Sequence, residues 1–314
     1  MAELAQRQAL GQALAEYGSV NPRVVVLDAD TASSTMSILF KERFPDRFFN
    51  VGISEPCMVD VAVGLALGGL IPFANAFAAL LSLRTLEQIR SCVCYARTNV
   101  KIMASYAGLS DYKDGPTHHS ITDIALLRSL PEITVIVPAD ANEINQWVSV
   151  IAEYDGPVYM RLSRSATLHV HPPEVEVQIG KGITLRAGDD LTIIATGSMV
   201  GRSLLAADKL AETGVSARVI EIHTIKPLDK ELIIQAAAET GAVITTEEHS
   251  ILGGLGSAVA EVLSEHIPTP LVRVGINDTF TRTAPDPDTL MDAYGMSVGD
   301  VVRAAEKVLE RKSV

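Results

Sequence analysis

Apolar residues along this chain fall into two textures that alternate: short unbroken runs, and longer stretches with helical spacing. Unbroken runs at Val24–Asp28, Phe48–Val51, Val100–Ser105, Thr134–Val137 and Pro157–Leu162 predict strands. Helical stretches fall near Leu4–Tyr17, Thr85–Ala96, Thr122–Ser129 and Ala141–Ala152. A strand with no polar alternation is covered on both faces, and strands that alternate with helices make a parallel sheet. The segment HVHPPEVEVQIG, His169–Gly180, is rich in proline and reads as an extended linker. The same alternation then restarts with LTIIATG, a helix to about Glu212, SARVIEIH, a helix after Pro227, AVITTEE, another helix and PLVRVG. The expected fold class is α/β with two parallel-sheet domains, over residues 1–168 and 181–314, joined by a linker at 169–180.

Composition narrows the function classes. The 314 residues, 47% of them hydrophobic, suffice for two apolar cores without a metal or disulfide to hold them. A formal net charge of −12 with no basic cluster argues against nucleic acid and anionic membrane surfaces as partners. Residues Val61 to Leu83 carry no charge, but Gly64, Gly68, Gly69, Pro72 and Asn75 interrupt them. A buried helix ending at Gly68-Gly69 and then a strand is expected rather than a membrane span. The three cysteines, Cys57, Cys92 and Cys94, fit neither a disulfide framework nor a zinc knuckle, and Cys92 and Cys94 read as helix packing. The amino terminus reads as an amphipathic helix with no signal-peptide block, so a cytoplasmic location is expected.

Most motifs are weak. Gly253-Gly254-Leu255-Gly256 lacks the third glycine of a dinucleotide fingerprint, so close helix–strand packing or a subunit contact is the expected role. His223, His249 and His266 lack ligand-like spacing. Two places stand out. Ser54-Glu55-Pro56 is a helix start with Ser54 as expected cap, and Glu55 is either a capping carboxylate or an acid–base group. The polar loop GLSDYKDGPTHH, Gly108–His119, follows a strand and gathers Asp111, Asp114, His118 and His119. Open α/β sheets bind ligands in such loops, and Asp with His offers hydroxyl recognition and proton transfer.

The runs VGISEPCMVDVAVGLALGG, PFANAFAALL and DGPTHHSITDIALLRSLPEITVIVPAD resemble the pyrimidine-binding domain of transketolases. GDDLTIIATGSMV and VGINDTF…YGMSVGDVVRAAEKVL resemble the carboxyl domain shared by transketolase and deoxyxylulose-phosphate synthase. The GDG motif with its later Asn, which marks the domain binding the diphosphate through Mg²⁺, does not occur. The resemblance therefore implies the carboxyl-terminal half of a split transketolase, using thiamine diphosphate with Mg²⁺ held by an amino-terminal subunit. It implies a homodimer core inside a two-plus-two heterotetramer, and transfer of a two-carbon ketol unit between sugar phosphates.

Carried over residue by residue, the resemblance makes Glu55 the partner of a ring nitrogen in the cofactor's aminopyrimidine. Phe77 matches the residue that packs on that ring, with Leu80 and Leu83 where the family often has further aromatics. Asp30 matches a residue near the thiazolium, Asp114 one reading a sugar hydroxyl, and His118 one facing the terminal hydroxyl as a catalytic group. Arg7, Ser34 and Arg164 match the phosphate end, with Tyr106 where a His is usual and Lys113 in place of an acid. Rival readings are a 2-oxo-acid dehydrogenase β-subunit, a deoxyxylulose-phosphate synthase-like enzyme and a non-catalytic partner-binding paralogue. Intact Glu55, Phe77, Asp114 and His118 speak against the last.

Overall fold

The computed structural model describes residues 4–312. Its strands are β1 (Val24–Asp28), β2 (Phe48–Asn50), β3 (Ile71–Phe77), β4 (Lys101–Ser105), β5 (Thr134–Ile136) and β6 (Val158–Arg161). They continue with β7 (Ile183–Arg186), β8 (Leu191–Ala195), β9 (Ala217–Glu221), β10 (Thr224–Lys226), β11 (Val243–Ser250) and β12 (Leu271–Ile276). A seven-stranded sheet runs β10-β5-β6-β4-β3-β1-β2, and a five-stranded sheet runs β12-β11-β8-β9-β7. The two α/β units anticipated from the pattern are present. Each sheet is parallel except at one edge, where β10 pairs antiparallel to β5 and β7 antiparallel to β9.

The strands behave as their composition demands. All five residues of β1, of β4 and of β8, and all eight of β11, are buried, which requires helices on both faces. The helix Ala141–Glu153 shows why one face packs inward. Asp140 caps it by accepting from the Glu143 N–H at 3.0 Å, and Ile144, Trp147, Val148 and Ile151 form the buried stripe. That stripe meets Leu10 and Leu14 of the helix Gln6–Val20 in one core. Each fully buried side chain of this kind contributes about 1.5–3 kcal/mol.

Four expectations need correction. The helix expected over Thr85–Ala96 is a short α-turn, Leu86–Gln88, running into a π-helical turn, Ile89–Cys94, where only Cys94 of the two cysteines is buried. Ser54 precedes the helix Glu55–Leu67, yet its side chain makes no capping hydrogen bond. That helix ends before Gly68-Gly69 as expected, but it is not enclosed: Leu67 is 76% and Val61 38% exposed, while Met58, Val59 and Ala62 are buried. An apolar side without neighbours in the same chain produces this pattern. Finally, β10 lies beyond the linker in sequence but belongs to the first sheet, so the two units share a strand. No described helix is long and apolar enough to cross a membrane.

Candidate functional site

The residues singled out above collect at the carboxyl ends of the first sheet's strands. Asp30 follows β1, Phe77 ends β3, Tyr106 follows β4 and Arg164 lies three residues past β6. These strands are neighbours in the order β6-β4-β3-β1, so topology alone draws four distant sequence positions to one edge.

One cluster centres on Tyr106, which is buried and adopts a left-handed backbone, φ 62°. Its ring stacks on Phe77 with centroids 4.3 Å apart, and Phe77 meets the His118 ring edge-on at 6.2 Å. The Arg7 and Arg164 guanidinium carbons lie 5.5 and 5.1 Å from the Tyr106 centroid. Arg7 Nη1 donates to the Tyr106 hydroxyl at 3.0 Å and to the Ser34 carbonyl at 2.7 Å, and its Nε donates to the Arg164 carbonyl at 3.2 Å. The structure thus brings Arg7, Ser34, Tyr106, Arg164, Phe77 and His118 together. Ser34 joins through its backbone oxygen rather than its hydroxyl.

The second arginine is anchored by a residue of the Gly108–His119 loop that the family resemblance did not assign. Arg164 Nη1 donates to Asp111 Oδ1 at 2.9 Å. Burial, reinforced by the neighbouring Asp114 charge, pushes the Asp111 carboxyl up to about 6. Asp114 is exposed, and His118 is half-buried with Nδ1 3.0 Å from the Thr117 hydroxyl. His119 is buried, bonded to Thr281 and to the Asp111 carbonyl, and burial lowers its pKa.

Glu55 shares no hydrogen bond with that cluster. It opens the helix Glu55–Leu67, is 2% exposed, and both carboxyl oxygens lie 3.5 Å from Arg84 Nη1. Among the described residues no backbone N–H caps it. A buried carboxyl group with one long-range partner retains unused acceptor capacity. Asp30 is exposed, with φ 65°, and exchanges two hydrogen bonds of 3.2 Å with Asn50 at the end of β2. Leu80 is half-buried on the helix Ala78–Leu83 that follows Phe77.

Sequence reasoning missed Asp28. The Ser/Thr-rich loop after it turns inward, so that Thr31, Thr35 and Ser37 hydroxyls all donate to the buried Asp28 carboxyl. Burial raises the Asp28 pKa against those bonds. The clustered hydroxyls were the available signal, and they serve the chain itself. A cavity of about 610 Å³ between the two sheets, bordered by Ser198, Arg202 and Glu248, contains none of the candidate residues. The glycine-rich turn is also self-satisfied. The Leu255 and Gly256 N–H groups donate to the Glu247 carboxyl at 2.7 and 2.8 Å, and a Cβ on Gly254 would fall 1.9 Å from Glu247 Oε2. Close packing therefore explains those glycines, as expected.

Two family models match this chain, the transketolase pyrimidine-binding domain over residues 2–168 and the transketolase C-terminal domain over residues 180–301. The chain belongs to the transketolase family, whose members depend on thiamine diphosphate. It is 41% identical to the 6-deoxy-6-sulfo-D-fructose transketolase subunit SqwH of Clostridium sp. (strain MSTE9), across 96% of this chain and 93% of that one. It is 43% identical to a putative transketolase C-terminal section of Methanocaldococcus jannaschii, across 97% and 95% of the two chains. A solved structure described as a split gene transketolase, inactive beta4 tetramer, superimposes with a TM-score of 0.92 at 47% identity, covering 98% of this chain and 99% of that one.

Proposed function

We propose that this chain is the pyrimidine-binding and carboxyl-domain subunit of a split transketolase, moving a two-carbon ketol unit from a ketose to an aldose. Its domains are taken as residues 1–168 and 181–314 around the 169–180 linker. The observation that carries the reading is Glu55: a buried carboxyl at a helix start whose acceptor sites are not filled by its own fold. That donor set fits an aminopyrimidine, which needs a carboxyl at a ring nitrogen inside a water-poor wall.

When bound, thiamine diphosphate supplies the thiazolium carbon that attacks the ketose carbonyl and carries the two-carbon unit. Glu55 holds a proton at the pyrimidine ring nitrogen. Phe77, backed by Tyr106, and Leu80 form the wall on which that ring packs, while Asp30 lies toward the thiazolium. Asp114 and His118 hydrogen-bond sugar hydroxyls, and His118 moves a proton at the substrate's terminal oxygen. Arg7 and Arg164, both held against Tyr106, direct their remaining N–H groups at an anionic sugar terminus, with Ser34 beside them.

The diphosphate and its Mg²⁺ belong to a partner subunit, in a cytoplasmic assembly of two copies of each chain. Supporting this, a chain 47% identical is described as a split gene transketolase, inactive beta4 tetramer. The half-exposed apolar helix Glu55–Leu67 is suited to the homodimer core. Native mass spectrometry of the tagged chain from its own organism, with thiamine diphosphate and Mg²⁺ added, tests the proposal. Co-purification of a second polypeptide with cofactor retained, and ketol transfer by that complex, is expected. A lone homo-oligomer that binds the cofactor tightly would overturn it.

A further inference from the structure

Away from the proposed active site, at the seam between the two sheets, four ionisable side chains meet out of contact with solvent. Glu143 comes from the first turn of the helix Ala141–Glu153, His171 from the linker, and Glu221 and His223 from the end of β9 and just beyond. They are 0%, 6%, 0% and 1% exposed, respectively. One ligand atom from each of Glu143, His171 and Glu221 lies within 4.8 Å of the others. His171 Nε2 is 2.5 Å from Glu221 Oε2, and His223 Nδ1 is 2.9 Å from Glu143 Oε1.

The hydrogen bonding around this group has a shape that protein atoms alone do not complete. Glu221 Oε1 has no partner although the residue is fully buried. His223 Nε2 faces the Gln178 carbonyl at 3.3 Å, and a carbonyl only accepts, so the proton is on Nε2. The ring's Nδ1 lies 2.9 Å from Glu143 Oε1 outside hydrogen-bonding geometry, so that nitrogen, once without a proton, is open to a cation. Glu143 is itself oriented by the Trp147 Nε1–H at 2.8 Å and the Ala139 N–H at 2.6 Å. An imidazole fixed through its far nitrogen by a carbonyl, beside a carboxylate fixed by outer donors, is how metal ligands are held.

We propose that this seam binds one divalent cation of the zinc class, through Glu143, His171 and Glu221, with His223 Nδ1 as the fourth donor. Two carboxylates balance the ion's charge, so the buried site becomes neutral overall. Two nitrogens with two oxygens favour zinc over calcium or magnesium, which take all-oxygen shells. Ligands about 2.1 Å from a tetrahedral zinc stand about 3.4 Å apart, so the side chains need shifts of about an ångström. With every position filled by protein, the ion is structural: it ties the linker and β9 to the helix Ala141–Glu153. The ion takes no part in ketol transfer, and the inference stands whether or not the proposed reaction is correct.

The test uses the full chain, stripped with a chelator, reloaded with zinc sulfate, desalted and measured by elemental mass spectrometry. About one zinc per chain is expected, with a higher melting temperature than the stripped protein. Glu221→Gln and His171→Asn should each lower occupancy at least tenfold at unchanged circular dichroism. Cobalt(II) loaded into the unaltered chain should give the intense visible bands of tetrahedral coordination, a readout that needs no variant to fold. Zinc at background level in the unaltered chain would overturn the proposal, since the cluster would then be held by shared protons. Equimolar zinc in both variants, or an octahedral cobalt spectrum, would overturn it as well.

Discussion

Two buried glutamates stand at helix starts in this protein, and their surroundings differ in one respect. Glu247, within β11 and facing the start of the helix Leu255–His266, accepts from two of that helix's backbone N–H groups at 2.7 and 2.8 Å. Glu55, inside the helix Glu55–Leu67, meets only the 56%-exposed Arg84 side chain, at 3.5 Å. Both carboxyls are hidden from water, but one is saturated by its own fold and the other is not. A saturated carboxyl stabilises a helix terminus. An unsaturated one costs free energy until something else binds it, which under the proposed function is the cofactor's aminopyrimidine.

The comparison is broken most severely at Glu55 itself. In the assembled enzyme, Glu55→Gln or Glu55→Ala should reduce turnover by about 10²–10⁴-fold, the range typical of proton-handling groups. Assembly and melting temperature should hold. Full activity in either variant, measured by ketol transfer, would remove Glu55 from the mechanism. The opposite pattern is expected at the other helix. Gly254→Ala places a Cβ 1.9 Å from Glu247 Oε2 and should cost about 1–3 kcal/mol, read from denaturant midpoints, whereas a silent substitution would mean the turn is looser than the structure shows. Arg84→Ala should change stability by less than about 1 kcal/mol, because a half-exposed ion pair is screened by solvent. A larger loss would mean that Glu55 is held as firmly as Glu247.

One effect concerns pH. Asp111 keeps its proton up to about 6 in the folded chain, against an ordinary value of 3.8. Between those values the unfolded chain has lost a proton that the folded chain retains, so this group's contribution to stability falls as pH rises through the window. Denaturant midpoints from pH 4 to 7 should show that decline flattened in Asp111→Asn. An identical profile in the two proteins would place the titration elsewhere.

The unbroken apolar runs made the sheets legible, because strands buried on both faces lack polar alternation, even where β4 opens on Lys101 and β11 carries Glu247, Glu248 and His249. The loops at the strand ends were legible as chemistry through residue types such as those of Gly108–His119. What the sequence hid were contacts between distant positions. Nothing near Asp111 announces Arg164, 53 residues on, and no local signal ties His171 to Glu221, 50 residues away. The three-residue strand β10 was hidden for another reason: its pairing partner β5 lies in the other unit, and a run so short has no periodicity to read. The failed Ser54 cap shows that a residue of the right type at a helix start need not turn its hydroxyl inward.

The shared strand also sets how this chain can be divided. Lys226, which closes β10, donates from Nζ to the Arg128 carbonyl at 3.1 Å and to that of Leu130, clamping the carboxyl-terminal part to the rim of the first sheet. A fragment stopping at the linker would lose both the strand and the clamp. Its β5 would then present a row of unpaired backbone groups, an open template for strands of other molecules. The first unit made alone should therefore self-associate, and adding back the missing three-residue edge, rather than the whole second unit, is the minimal repair.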